Sequence, residues 1–452
     1  MKKSIYIVVL SMLLPVTSCK EVLEPKPVSL QTSDVALNEP ADVSSVQTGL
    51  YNSLRSIAGP LMVAGDFTAD EVVHRGTFTE FRELANKQIR TSNATAAALW
   101  GNVYNTVYIA NLILERLPEI EGVPAKQRTE VAATARFLRG FSYFVGAYTY
   151  GGIPLVTSTN LENNRNISRA SKEEVLNFVL EDYQAALAGL PDRPINAGFA
   201  SKNAVRAALA RLYLYGQDWA RAEQYATEVI NQGGYQLETN FEDVVLRDFT
   251  SEAIFEMGYT IADDPGTGTY SLNNLYVGRR EVIPSNQALA ALLSNESGER
   301  YKTLAFDVAR QGGSDNGWSV RKYGTADEDN NNIVLFRLAE MYLIRAEARA
   351  RQNNITGING AEEDVNVLRR RAKAPVVTAT NTATMLRLIE QERLYELAYE
   401  GHRWYDLVRT GRANEVLGAY SPSWESKYQL WPVPQREIQY NANLRNAQNP
   451  GY

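Results

Sequence analysis

IEQERLYELAYEGHRWYDLVRTGR, residues 389–412, packs charge and aromatic bulk together more densely than any other stretch of the chain. It reads as a helix that runs into a tight turn at Gly401. Glu392, Glu396 and Glu400 recur every fourth residue and so stack on one helix face, where like charges repel by a few tenths of a kcal/mol per pair. Cations from elsewhere must therefore face them. Arg337 and the run Arg369, Arg370, Arg371 lie upstream, and Arg403, Arg409 and Arg412 lie downstream. With Leu394, Leu397, Ala398 and Tyr399 on its other side, this helix ties distant segments into one body.

Working back from it, a helix is expected from Asn332 onward. Phe336, Ala339, Leu343, Ala346 and Ala350 form one apolar stripe and Leu335, Leu338 and Tyr342 a second, an arc wide enough to place the helix deep. Arg337, Glu340 and Glu347 would then be buried on it and must be paired, because an unpaired buried charge costs several kcal/mol. Earlier in the chain, helical spacing recurs over residues 99–117, 128–148, 201–215 and 220–230. A helix is also expected within 33–54, where Val43, Val46, Leu50 and Leu54 share a face. Ser171 with Glu174 forms a capping box ahead of Val175, Phe178, Val179, Tyr183 and Leu187. Gly151-Gly152 followed by Pro154 stops one helix, and Gly233-Gly234 stops another. Alanines at 204, 207, 208 and 210 let helices approach closely. Trp219, Ala222 and Ala226 are spaced as in tetratricopeptide hairpins, although no strict 34-residue period is present.

Two segments break the helical pattern. Residues 66–81 read as a loop or short turns. Residues 235–330 are dominated by Gly, Asn, Asp, Ser and Thr, and 253–257 is the clearest strand-like piece. Nearly a hundred residues with so little regular structure are expected to serve recognition. The reading is a mainly α single body over 33–452, in which two helical parts, 33–234 and 331–452, flank a loop-rich ligand-side segment with short β pieces.

Composition narrows the function. The chain has 452 residues, 44% hydrophobic and 22% charged, with a formal net charge of -6. That is ordinary globular material without the basic surface of a nucleic-acid binder. Tyr outnumbers Phe and Trp, at 25 against 13 and 6, and a ring with a polar tip suits half-wet surfaces. The single cysteine, Cys19, excludes an intrachain disulfide and a cysteine-based metal site. Lys2 and Lys3, an apolar run over 5–14 and the small-residue stretch ending at Cys19 read as a secretion signal over 1–18. The Pro-containing residues 20–32 read as a tether.

Several of these stretches together resemble the SusD/RagB family, glycan-binding outer-membrane lipoproteins of polysaccharide-uptake systems. Glu392-Arg393, Glu396-Leu397, Glu400-Gly401, Arg403-Trp404-Tyr405-Asp406-Leu407 and Arg409 look like its C-terminal signature. Trp100, Tyr104, Ala110-Asn111 and Glu115, then Arg337-Leu338-Ala339-Glu340, then Leu430-Trp431-Pro432-Val433-Pro434 are similar to its other motifs and arrive in its order. One departure stands at Gly298-Glu299-Arg300, where the family commonly has Asp two residues before Arg. The resemblance implies a SusD-like fold of tetratricopeptide-like helical hairpins and non-catalytic glycan capture. It also implies a partner, a SusC-like TonB-dependent transporter. Val16-Thr17-Ser18-Cys19 resembles a lipobox, which implies acylation of Cys19 and anchorage in outer-membrane lipid, facing the cell surface.

For ligand contact, sugar rings offer apolar C-H faces to aromatic rings and a rim of hydroxyls to polar side chains. Asp66, Asp70, His74, Arg75 and Phe78 form one candidate patch; Tyr270, Tyr276, Trp318 and Tyr323 form a second. Core or loop packing competes with ligand contact at each ring, whereas Trp100, Tyr104 and Phe141 sit on helical stripes and are assigned to the core. Two histidines, His74 and His402, far apart, offer no metal motif, and no phosphate-binding loop or nucleophile elbow is present, so neither metal nor cofactor is expected. Three other readings make distinct predictions. A protein-binding helical scaffold would show no sugar affinity, a receptor for peptides or glycopeptides would change the ligand class, and a surface glycoside hydrolase would release product.

Overall fold

The computed structural model describes residues 37–260, 264–324 and 332–452. The expected leader, Cys19 and the tether lie outside the described residues.

Among the described residues, six helices longer than one turn build the part up to Tyr215: α1 (Asp42–Phe67), α2 (Thr79–Ala85), α3 (Ala94–Arg116), α4 (Ala125–Tyr150), α5 (Lys172–Gly189) and α6 (Lys202–Tyr215). Local chemistry sets their ends. Asn93 Oδ1 accepts from the amides of Thr95 and Ala96 and starts α3. Gly151, at φ 80°, lets the chain leave α4, whose last eighteen residues are nearly all buried. At Ser171 the capping box forms as the sequence predicts. Ser171→Ala should remove about 1 kcal/mol, read as a lower urea midpoint at unchanged slope.

Consecutive helices pack as hairpins, α3 on α4, α4 on α5 and α5 on α6. Next, α7 (Trp219–Gln232) lies between α6 and α9 (Leu338–Arg351), and α9 continues to α10 (Ala361–Arg371) and α11 (Thr382–Leu397). Buried Ala204, Ala207, Ala208 and Ala210 permit the close contacts of α6. Three antiparallel two-stranded pieces occur among the described residues: β1 (Val72–His74) with β3 (Val282–Pro284), β2 (Ala253–Met257) with β6 (Ile333–Arg337), and β4 (Leu304–Phe306) with β5 (Trp318–Val320). Helix α8 (Asn286–Leu292) follows β3.

Two boundaries differ from expectation. The helix expected from Asn332 starts at Leu338, because the apolar run Ile333–Arg337 finds a ladder partner in Ala253–Met257 and becomes strand. Within 66–81, expected to be irregular, Val72–His74 forms a strand against Val282–Pro284. Helices α12 (Arg403–Arg409), α13 (Ala413–Tyr420) and α14 (Gln435–Tyr440) complete the chain. Trp404 and Trp431 are fully buried. Their indoles donate to Tyr428 O and Thr68 Oγ1, and the Trp431 amide donates to Thr149 O, so the C-terminal segment is fastened to α4 and to the residue that follows α1.

Candidate functional site

The acidic stripe does meet its cations, by a different geometry from the one expected. Helix α11 stops at Leu397; Tyr399 and Gly401 take φ of 63° and 74°, so Glu400 stands in the turn rather than on the helix. All three glutamates nevertheless converge on one buried network. Arg337, at the β6–α9 junction, donates to Glu252, Glu396 and Glu400, each at 2.7 Å. Arg300, fully buried, donates to Glu396 at 2.8 Å and to Glu392. Arg369 and Arg371 add bonds to Glu392 and Glu252 at 3.0 and 2.9 Å, and Lys322 pairs with Glu400. Against the penalty of burial, Arg371, Arg300 and Arg337 hold Glu396 well below the usual carboxylate range. Phe241 lies under the guanidinium of Arg371 at 5.0 Å.

The other candidate cations are used elsewhere. Arg370 pairs with Glu363 at the surface, Arg403 with Asp70, Arg409 with Glu347 and Asp406, and Arg412 with Glu390 and Glu415. Lys322 and Glu252 carry no mark in the sequence pattern, and Arg300 stands out there only as part of Gly298-Glu299-Arg300, not as a cation for the stripe. Arg300 and Lys322 lie in the loop-rich segment, where no periodicity marks a buried side.

Four of the predicted ligand residues lie in the interior. Asp66 accepts from the amide of Gly401 at 2.7 Å and from the hydroxyl of Tyr276 at 2.9 Å. Tyr323 stacks on Tyr276 at 5.6 Å and donates to Tyr399 O at 2.7 Å. Asp70 takes both arms of Arg403 at 2.9 and 3.1 Å. Asp66, Asp70, Tyr276 and Tyr323 are all buried, so the expectation that they contact a surface ligand is corrected. Their polar groups join the end of α1 and the loop segment to the α11–α12 turn. The approach there is close: a Cβ on Gly65 would fall 1.9 Å from Gly401 O.

His74, Arg75, Phe78, Tyr270 and Trp318 lie together on the loop face. Glu281, absent from the sequence-derived candidates, organises it. Its carboxylate accepts from the amides of Thr77 and Phe78 at 2.8 and 3.1 Å, its carbonyl from those of Arg75 and Gly76, and Arg279 pairs with it at 3.1 Å. The imidazole of His74 sits 3.8 Å from the same carboxylate and is mostly covered, and burial lowers its pKa. Arg75 reaches Asp315 at 2.6 Å, Arg280 grips Asp315 from the buried side, and Arg280 also donates to Trp318 O at 2.6 Å. This chain of bonds connects the 75–78 turn to β5. Across the β4–β5 pair, Phe306 and Trp318 set their rings 5.1 Å apart at 45°. Phe306 is 48% exposed and Trp318 half-buried. On the other flank Arg279 lies 4.1 Å over Phe78, which meets Phe81 edge-on, and Phe81 meets Tyr270. The face thus offers an angled aromatic wedge, exposed guanidinium groups and hydroxyls on a rigid base. Beside it, burial of Asp315 is outweighed by the Gly317 amide and Arg280, which lower its pKa.

The described residues contain no group of three or more His, Cys, Asp or Glu able to hold a metal ion. His402 is half-buried near Arg211 and Arg393, and its desolvation pushes its pKa far below that of a free imidazole.

The profile described as "SusD family" matches residues 294–452, and the one described as "Starch-binding associating with outer membrane" matches 21–214. Among curated proteins, SusD-like protein P38 of Formosa agariphila is 26% identical over 98% of this chain and 97% of its own. The starch-binding protein SusD of Bacteroides thetaiotaomicron is 26% identical over 74% of this chain and 75% of its own. A laminarin binding SusD-like protein of known structure superposes with a TM-score of 0.80 at 24% identity, over 92% of this chain and all of the other.

Proposed function

Since this chain belongs to the SusD/RagB family, we propose that it is a non-catalytic glycan-binding protein of the outer membrane. Its loop face captures an oligosaccharide or polysaccharide. The observation that carries this reading is the Phe306–Trp318 wedge beside the exposed Arg75, because a sugar can lay an apolar face on the rings while its hydroxyls reach that guanidinium. Relatives described as starch-binding and laminarin binding support the ligand class. An acylated Cys19 would anchor the protein in outer-membrane lipid, and a SusC-like TonB-dependent transporter would receive the captured glycan. A pull-down from native membranes tests that partnership, and recovery of no transporter would count against it.

Hydrolysis is not part of the proposal. Retaining and inverting glycosidases need one protonated and one ionised carboxyl facing the scissile bond. On the loop face, Asp315 is held ionised by Arg280 and the Gly317 amide, and Glu281 is taken up by Arg279 and two backbone amides.

The test is calorimetry and affinity electrophoresis of the protein against laminarin, starch and a panel of plant, microbial and host polysaccharides, with the same mixtures assayed for released sugar. Saturable binding without release is expected. Trp318→Ala should weaken the bound polysaccharide about tenfold or more, the scale of losing one aromatic anchor. His74→Ala, whose ring is mostly covered, should change affinity much less. Sugar release would revive the hydrolase; failure to bind any polysaccharide would favour a peptide ligand or a protein scaffold.

A further inference from the structure

A second cavity lies away from the loop face. It has a volume of about 340 Å³ and sits between α11, α12 and the end of α9. That size is within the range of small-molecule pockets, roughly 300–1,000 Å³. Leu386, Ile389, Leu394 and Leu397 form an apolar wall, and the exposed Arg351 and Arg387 line it where it meets solvent. None of the loop-face residues named above lines it.

Arg393 carries the argument. It is 4% exposed, and its Nε donates to Asp406 Oδ2 at 2.6 Å. Both terminal nitrogens, Nη1 and Nη2, are buried without a partner. Leaving a charged fork unsatisfied in the interior is costly, and the neighbouring acids are already engaged. Asp406 also accepts from Arg409 at 2.8 Å, and the two arms of Arg409 go to Glu347 at 2.9 and 2.7 Å. Glu71, a further lining residue, has one carboxyl oxygen without a partner, and burial raises its pKa well above the ordinary value. Six arginines line the cavity against the five carboxyls of Glu71, Glu347, Glu390, Asp406 and Glu415.

We infer that this cavity is a binding site for a small organic carboxylate of single-ring size, its two oxygens taken by Nη1 and Nη2 of Arg393 and its carbon body laid against Leu386, Leu394 and Leu397. A planar guanidinium fork matches a carboxylate bidentately. The apolar wall favours a carbon body over an inorganic ion, which would leave that part of the cavity unfilled.

Calorimetry of the full chain with benzoate and cyclohexanecarboxylate tests the inference, with cyclohexylmethanol and inorganic phosphate as controls. Saturable heat is expected for the acids and none for the alcohol. Arg393→Gln keeps a group to donate to Asp406 but removes the fork, and Leu394→Trp fills the cavity from a half-buried wall position. Each should lower acid affinity at least tenfold. If Arg393→Gln fails to fold, Leu394→Trp alone decides. No heat from either acid, or acid binding unchanged in Leu394→Trp, would overturn the site; phosphate binding with no acid binding would overturn the organic ligand. Polysaccharide binding by Leu394→Trp should match that of the unmodified protein, so failure here is distinguishable from failure of glycan capture.

Discussion

Arg337→Met should destabilise the protein by about 3–5 kcal/mol, the scale of breaking a buried ion pair from one side. The arginine faces Glu252, Glu396 and Glu400 at 2.7 Å in a region where none of the four is more than 5% exposed. Methionine fills much of the same volume, so the loss comes from uncompensated charge rather than from a void. Arg371, Arg300 and Lys322 remain and blunt the effect without replacing the bonds to Glu400 Oε2 and Glu252 Oε1. Arg370→Met is the control. Arg370 pairs with Glu363 on the surface, both about half exposed, and such a pair is worth about 0–1 kcal/mol. Urea unfolding of the two variants should differ by several kcal/mol; equal midpoints would mean that the network is dispensable.

This contrast also marks what a sequence can reveal. The four-residue spacing of glutamates demanded a cationic partner, and Arg337, Arg369 and Arg371 were found among those proposed. Spacing alone could not show that Glu400 leaves the helix, because the turn depends on positive φ at Tyr399 and Gly401 and on how tightly Gly401 approaches Gly65. Nor could it mark Arg300 as the glutamates' partner, since Arg300 lies in an aperiodic segment 92 and 96 residues before Glu392 and Glu396. The helical body was legible because amphipathic periodicity is a local property. On the loop face the residue types were legible, aromatic and charged together, but their depth was not. Asp66 and Arg75 are both charged residues of one stretch, 66–81, that the sequence pattern marks as irregular. One is sealed beneath the α11–α12 turn and the other reaches solvent, and that difference is decided by β1 pairing with β3 more than two hundred residues on. Glu281 carries no sequence signal for the same reason: its role is to satisfy backbone amides of a turn remote in sequence.

Asp66→Asn should remove a pH-dependent weakness from the fold. Burial raises the Asp66 carboxyl from an ordinary 3.8 to about 7, opposed by the Gly401 amide, the Tyr276 hydroxyl and Lys322 and reinforced by Glu400. With the folded pKa above the unfolded one, the folded state binds more protons between them. The associated stability is complete below about pH 4 and disappears as pH rises through 7. At about 1.4 kcal/mol per unit, the unmodified protein should lose on the order of 3 kcal/mol relative to Asp66→Asn between pH 5 and pH 8. Asparagine keeps an oxygen for the Gly401 amide, and the Tyr276 hydroxyl can accept from its amide nitrogen. Glu71, whose own pKa is raised partly by Asp66, shifts the difference in the same direction. His402, whose pKa is lowered by desolvation, acts with the opposite sign below its ordinary 6.5, but it is common to both proteins and cancels in the comparison. Urea midpoints of the two proteins at pH 5 and pH 8 measure the effect. A difference that is the same at both values would mean that Asp66 titrates as a solvated carboxylate and that the end of α1 is open to water. A difference that grows with pH would locate the weakness at the bond between α1, Tyr276 and the Gly401 turn, the point where the loop face is attached to the helical body.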